Sequence, residues 1–255
     1  MRPTAPRING VLSRRSILGA ALGFGMASLA SAALASRALA RTGKSAAEEL
    51  ARRAHEPSIA LAEGKITQVA WQDAMAAIAR DVPVEELAAA LDLDALIAKA
   101  PSVERGASVV PMKLSPSPAF TPRFVTKLFV FKQGRANPPH AHDNMVSMHH
   151  VLRGRFRVRH FERVRDEPGG LVLRPTIDRK LGPGEATSIS DARDNVHWHL
   201  AETDGVLLDV LCAGLDQARE TNTHLVDPVK AARLGGGLLR ARRIKTVEEA
   251  LASFG

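Results

Sequence analysis

Between residues 123 and 212 the sequence consists of short runs of β-branched, aromatic and aliphatic residues separated by glycine-containing turns. These runs are typical of β-strands, and no segment between them has the length and periodicity of a helix. They predict strands over residues 124–131, 147–152, 156–164, 171–179, 186–190, 197–201 and 206–212. Several short strands joined by tight turns predict a β-sandwich or a β-barrel.

The N-terminus has the composition of an export signal. Arg14 and Arg15 precede an apolar run over residues 17–36, and residues 38–40 (Ala-Leu-Ala) offer small side chains to a signal peptidase. The paired arginines resemble a twin-arginine signal, which implies the twin-arginine export machinery as a partner and a periplasmic or secreted protein. The run is also long enough for an uncleaved anchor, so we expect membrane contact only through this signal segment.

The charge distribution argues against nucleic acid as a partner. The formal net charge is +8, but five arginines and no acidic residues lie within residues 1–40, which leaves +3 for the rest of the chain. A globule with that charge lacks the basic footprint of a nucleic-acid-binding protein. The single cysteine, Cys212, excludes an internal disulfide framework and a multi-cysteine zinc site, and its apolar strand predicts a buried, inert thiol.

Residues 45–100 show helical periodicity. They predict a first helix over 46–54, a second helix that Thr67 caps and Pro83 ends, and a third helix or a broken pair over 84–98. These helices form either a subdomain packed on the β-domain or a lid or partner-binding element. The proline-rich stretch that follows predicts a linker or an edge segment leading into the β-domain.

Two histidines, His140 and His142, stand two residues apart in an extended segment. Side chains at i and i+2 of a strand point to the same face, so these two imidazoles could chelate a metal ion. A second stretch, residues 194–200, contains His197 and His199, which also share a face by alternation. Either of them could supply a third imidazole from another strand.

The spacing around these histidines resembles two motifs of the cupin superfamily, the RmlC-like proteins. The first motif matches at four positions, Gly134, His140, His142 and Gly154. The second matches the glycine turn at residues 182–184 and the segment 194–197, Asp-Asn-Val-His. The resemblance covers about residues 123–215.

The resemblance implies an all-β core, a single-domain double-stranded β-barrel or jelly roll with a divalent metal inside. Carried over by position, the metal ligands are His140, His142 and His197. We therefore predict an N-terminal helical extension, a barrel and a C-terminal helix. The predicted bounds are 1–40 for the signal peptide, 41–118 for the helical extension and linker, 119–227 for the barrel and 228–255 for a helical tail.

At one position the sequence departs from the cupin pattern. Ser147 stands where the first motif usually has a glutamate, so three neutral imidazoles would hold the metal without a carboxylate. Such a site resembles those of the cysteine and cysteamine (aminoethanethiol) dioxygenases. The segments 140–146 and 206–211 also look like parts of the plant cysteine oxidases. This resemblance implies a mononuclear non-haem iron(II) dioxygenase of a small thiol, with zinc, nickel, copper and manganese as alternative metals because imidazole binds them all.

Other polar residues near the two motifs are candidates for supporting roles. His149 shares a face with Ser147 and is either an additional ligand or a pocket residue, whereas His150 is expected to face outward. His199 is a pocket residue if His197 is the ligand. Groups that could orient the imidazoles by hydrogen bonds are Asp194, Asn195 and Asp209.

Three hypotheses about function follow from the sequence. The first is a metal-dependent oxygenase, the second a non-catalytic cupin that binds or senses a small molecule, and the third a cupin enzyme of another class. Metal content separates the first from a metal-free binding protein, and oxygen consumption with small thiols separates it from the third. A homodimer is expected only by analogy with other cupins.

Overall fold

The computed structural model describes residues 46–115 and 119–255 of the 255-residue chain, so the predicted export signal lies outside the described residues. The helices of the described part are α1 over residues 46–62, α2 (Gln68–Asp81), α3 (Val84–Ala90), α4 (Leu93–Ala98) and α5 (Val247–Phe254). None of these helices is long and apolar enough to span a bilayer.

The remaining elements are strands, together with a short 3₁₀ turn at Gly235–Gly237. The strands are β1 (Ser108–Met112), β2 (Val125–Phe131), β3 (Ala136–His142), β4 (Met145–Arg153), β5 (Phe156–Glu167), β6 (Gly170–Leu181), β7 (Ala186–Ser190), β8 (Val196–Ala201), β9 (Gly205–Ala213), β10 (Thr223–Arg233) and β11 (Leu239–Arg243). All seven strands predicted between residues 124 and 212 are present, with bounds shifted by at most a few residues.

The strands form two antiparallel sheets. One sheet has the order β1-β2-β9-β4-β7, and the other closes on itself in the order β10-β11-β6-β5-β8-β3. The sheets face each other, because the ring of His149 on β4 contacts the rings of His197 and His199 on β8. The core is therefore the all-β jelly roll that the cupin motifs implied.

The N-terminal helices cover the outer face of the five-stranded sheet, whereas α5 packs on β3 and β10 of the other sheet. Trp71, Met75 and Leu87 are fully buried and pack in one cluster with Val146 and Met148 of β4. The helical region is thus a packed layer of the main body. Thr67 caps α2 as predicted, since its hydroxyl accepts a hydrogen bond from the backbone of Ala70.

Two helix predictions are decided by the structure. The segment 84–98 is the broken pair, α3 and α4, and not one helix. The prediction that α1 ends near Ala54 is wrong, because the helix continues to residue 62. Ser58 and Leu61 extend its buried stripe beyond Ala54, and the Ser58 hydroxyl bonds the Ala54 carbonyl.

The C-terminal prediction needs a larger correction. Residues 228–255 were expected to be helical, but they contain the end of β10 and all of β11. These two strands pair with β3 and β6 and close the second sheet into a barrel. Each strand of that barrel contributes to a buried apolar cluster, Ala141, Phe161, Leu171, Leu173, Val196, Val226 and Ala241. Only α5 is helical, and Thr246 caps it through the backbone of Glu249.

The β-core also begins earlier than residue 119. β1 lies inside the predicted linker and pairs with β2 as the edge strand of the five-stranded sheet. Of the two predictions for this proline-rich stretch, the edge segment is therefore the one found. Pro111 is accommodated there because an edge strand has one side without a ladder partner.

Candidate metal centre

Strand pairing brings His140, His142 and His197 together. His140 on β3 is the cross-strand partner of His197 on β8, and His142 lies on the same face two residues further along β3. Their ring centroids are 4.2 Å (His140–His197), 4.6 Å (His140–His142) and 5.4 Å (His142–His197) apart. One nitrogen from each ring lies within 4.8 Å of the others. We call these three residues the outer set.

These separations fit a metal ion. Imidazoles that bind one tetrahedral ion through nitrogens about 2 Å away have ring centroids roughly 5 Å apart. His140 is also held in one tautomer, because its Nδ1 lies 2.7 Å from the Pro138 carbonyl oxygen, which can only accept a hydrogen bond. Nδ1 therefore carries the proton, and Nε2 keeps the lone pair that a metal requires. The Nδ1 of His142 contacts the Thr223 hydroxyl at 3.2 Å.

The electrostatic environment keeps the outer set neutral. Burial lowers the pKa of His140, His142 and His197 below the usual value, for His142 to about 2. Neighbouring histidines lower the pKa of His142 and His197 further, since two imidazolium ions would repel each other. Metal ligation requires neutral imidazoles, so the site does not have to release protons before an ion binds.

Ser147 and Asp209 lie together on the opposite sheet. The Ser147 hydroxyl donates a short hydrogen bond to Asp209, which is almost fully buried and is the cross-strand partner of His149. Lys127 places its Nζ 3.4 Å from the carboxylate, and the Nε2 of His149 is 3.9 Å away. Burial raises the pKa of Asp209. The interior thus contains a carboxylate, but among the described residues it does not join the outer set.

His149 and His199 belong to a second group. Together with His197 they offer one nitrogen each within 4.8 Å, and all three are buried. The ring centroids are 4.8 Å (His149–His197), 4.6 Å (His149–His199) and 5.2 Å (His197–His199) apart. We call this group the inner set. His197 belongs to both sets, whereas His199 approaches His140 and His142 less closely and belongs only to the inner one.

Asn195 and Asp194 have different roles from those expected. The Asn195 side-chain amide donates to the backbone carbonyls of His142 and Ser190, so it fixes the strand that carries His142 and not an imidazole ring. Asp194 accepts a hydrogen bond from the Thr176 hydroxyl. No hydrogen bond or ion pair joins its carboxylate to a histidine of the described chain.

Three residues of the site were missed in the sequence. His160 on β5 is the cross-strand partner of His197, and Lys127 and Thr223 contact Asp209 and His142. The alternation that buries Phe156 and Val158 extends to residue 160, so a signal for His160 was present. His150 lies on the outer face of β4, as predicted, but the helices that cover this face bury it completely.

The two ends of the site differ in polarity. Beyond the histidines, the next inward-facing residues form an apolar plug, Phe131, Val151, Phe156, Val158, Leu181, Ala201 and Leu207. At the other end His140 and His142 are partly exposed. A small molecule would therefore approach the outer set from the His140 and His142 end.

No protein-family model matches the sequence, and no curated protein matches it. Among solved structures, KdgF from Halomonas sp. is 21% identical over 44% of this chain and 85% of that chain, with a TM-score of 0.32. An RmlC-like cupin from Shewanella frigidimarina is 13% identical over 48% and 88%, with a TM-score of 0.33.

A further neighbour is an oxalate oxidase in complex with the substrate analogue glycolate. It is 21% identical over 46% of this chain and 57% of that chain, with a TM-score of 0.34. These likenesses are confined to about half of the chain and are too weak to carry an argument about activity. The function has to be argued from the site.

Proposed function

We propose that this chain is an exported, metal-dependent cupin oxygenase, a mononuclear iron(II) dioxygenase whose substrate is a small thiol. The observation that carries the proposal is the convergence of three neutral imidazoles, His140, His142 and His197, in a group that contains no carboxylate. A divalent ion held by neutral ligands keeps its full charge. Such a site favours an anionic partner, and a thiolate is the anion that a coordinating thiol supplies.

The imidazoles alone do not select the metal, because iron, zinc, copper and nickel all bind imidazole nitrogen. Iron follows from the proposed reaction, in which both atoms of dioxygen are added to the sulfur of a thiol to give a sulfinic acid. A bound iron(II) ion would supply the redox chemistry for this addition.

The chain's own residues bind and orient the substrate. The Lys127 charge lies close enough to lower the pKa of His140, His142 and His149, and it would attract an anionic substrate. The ion pair with Asp209 keeps the Lys127 ammonium group in place, and the Ser147 hydroxyl orients the Asp209 carboxylate by a hydrogen bond. The apolar plug around Phe131 and Phe156 closes the opposite end, so water reaches the histidines from one side only.

The test combines metal analysis with oxygen consumption. The full chain, purified without added metal, is expected to contain iron and to consume oxygen with cysteine or cysteamine. It should not do so with serine or ethanolamine, which replace the thiol by a hydroxyl. The His140→Ala/His142→Ala variant should lose the activity. A protein loaded with iron(II) that consumes no oxygen with any small thiol would contradict the proposed reaction and favour a binding or sensory cupin.

Export is the second part of the proposal and rests on the sequence. Arg14 and Arg15 precede an apolar run, and twin-arginine export moves proteins that have already folded. That route suits a protein that must acquire its metal before crossing the membrane. An Arg14→Lys/Arg15→Lys variant is expected to accumulate in the cytoplasm, while the matched Arg37→Lys variant is exported. Equal export of both variants would contradict this route.

A further inference from the structure

On the inward-facing side of β8 and its neighbours, several imidazole nitrogens have no role in the outer set. Six ring nitrogens of the described residues are buried there without a hydrogen-bond partner: Nδ1 of His149, both nitrogens of His160, Nδ1 of His197 and both nitrogens of His199. The four side chains are at most 4% exposed. A buried polar atom without a partner destabilises a folded protein, so this many in one place calls for a ligand.

His197 belongs to both sets, and its Nδ1 has no hydrogen-bond partner in the described part of the chain. A metal-bound imidazole normally donates its second N–H to a protein group. His140 does so to the Pro138 carbonyl, and His142 has the Thr223 hydroxyl beside its Nδ1. The Nδ1 of His197 is buried without any such partner, and His197 is also a member of the inner set.

We propose that the inner set, His149, His197 and His199, binds a second transition-metal ion, with His197 bridging the two ions. The centroid separations of 4.6–5.2 Å match the roughly 5 Å expected for imidazoles around a tetrahedral ion. Three nitrogen ligands and a dry surrounding fit a divalent ion of intermediate softness, such as Zn²⁺ or Cu²⁺. The ring of His160 lies 6.2 Å from those of His197 and His199, beside the inner set but outside it.

Binding of two ions by His197 releases a defined number of protons. A neutral imidazole has one in-plane lone pair, so binding of an ion at each nitrogen of His197 requires loss of its ring proton. One proton leaves to solvent for each second ion bound, as is usual when a metal displaces a ligand proton. The resulting imidazolate shares one negative charge between two divalent ions, so each ion still carries a net positive charge.

The experiment counts metal ions per chain. The full chain is loaded with excess Co²⁺, desalted and measured by elemental analysis, and circular dichroism checks that each variant is folded. We expect two Co²⁺ per chain in the wild type and one in the His149→Gln/His199→Gln variant. The His140→Ala/His142→Ala variant should also retain one. The matched control is His150→Gln, a buried histidine of the same strand outside both sets, which should retain two.

The outcomes decide the proposal. A wild type that binds one Co²⁺, which His140→Ala/His142→Ala loses entirely, would overturn it, because the inner imidazoles would then bond only to each other or to buried water. Retention of two ions by His149→Gln/His199→Gln would overturn it equally. If that variant does not fold, the proposal is tested by the number of Co²⁺ ions bound to the wild type and to the single His199→Gln variant. Because no oxygen consumption is measured, two bound ions in a protein without dioxygenase activity would support this inference and contradict only the proposed function.

Discussion

His140 and His197 lie directly opposite each other on β3 and β8, with ring centroids 4.2 Å apart. The outer set is therefore fixed by the register of two paired strands and not by a loop. A slip of one residue would turn either side chain to the other face of the sheet. The apolar residues Ala141 and Val196 resist that slip because they are buried in the closed barrel on the opposite face.

The hydrogen bond between Thr223 and His142 should contribute to metal affinity. The hydroxyl lies 3.2 Å from Nδ1, and such outer partners orient a metal-bound imidazole. Thr223→Val keeps the shape of the side chain and removes the hydroxyl. We expect roughly 10–100-fold weaker binding of Zn²⁺ in a competition titration with a chromophoric chelator. Thr223→Ser is the matched control and should bind as the wild type does. Equal affinity of the valine and serine variants would show that the hydroxyl plays no part.

The outer set could be predicted from sequence because its parts are local. His140 and His142 share a face by the period of a strand, and the motif that contains His197 has a recognisable spacing. The inner set depends on packing of β4 against β8, whose residues are about fifty positions apart. No local pattern determines that His149 meets His199, so sequence alone left His149 as a choice between a ligand and a pocket residue.

The last strands were missed for a different physical reason. β10 contains Pro228 and a register shift between Asp227 and Ala232, and only two of its residues, Val226 and Asp227, are buried. In β11 only Ala241 is buried. Neither strand therefore shows the clear apolar alternation that identifies a half-buried strand, and their alanines and leucines are good helix formers. The pairing with β3 and β6 overrides that local preference.

The metal-free protein should be sensitive to acid. Burial lowers the pKa of seven histidines, to about 2, 4 and 3 for His142, His150 and His160. An imidazole with a lowered pKa takes up its proton only on unfolding, so its stabilising effect is complete above pH 6.5 and is lost as the pH falls. Between pH 6.5 and its lowered pKa, each of His142, His150 and His160 reduces the unfolding free energy by about 1.4 kcal/mol per pH unit. We expect the metal-free protein to unfold cooperatively between pH 6.5 and roughly 5. Circular dichroism would detect this transition.

Two comparisons check this explanation of the acid transition. Saturating Zn²⁺ should move the midpoint to lower pH, because the ion and the proton compete for the same nitrogens. The His150→Gln variant should take up about one proton fewer on unfolding. Constant stability from pH 8 to pH 5 in the metal-free protein would contradict the prediction.

The Asp209 carboxylate should matter for substrate turnover more than for metal content. It forms an ion pair with Lys127 and accepts a hydrogen bond from the Ser147 hydroxyl. Asp209 is only 2% exposed. Asp209→Asn keeps the shape but leaves the Lys127 charge unbalanced beside the histidines. On the proposed function, we expect a roughly 10–100-fold loss of thiol-dependent oxygen consumption with the iron content of the outer set unchanged.

The matched control for this variant is Asp204→Asn. It removes a carboxylate that also pairs with a lysine, Lys132 at 2.9 Å, but both partners are exposed at the surface. Exposed ion pairs contribute about 1 kcal/mol or less, so this variant should retain wild-type activity. A similar loss of oxygen consumption in both variants would mean that the Asp209 effect is a general one on the fold.

Cys212 should be unreactive in the folded protein. Its side chain is buried, its thiol donates to the Arg123 carbonyl at 3.3 Å, and burial raises its pKa to about 11. Because only the thiolate reacts, alkylation by iodoacetamide at pH 8 should be more than about 100-fold slower than in the unfolded chain. Oxidising conditions should likewise give no covalent dimer, since the only cysteine cannot reach a second copy. Labelling at the same rate with and without denaturant would show that the β9 end opens readily and that the thiol is available for oxidation.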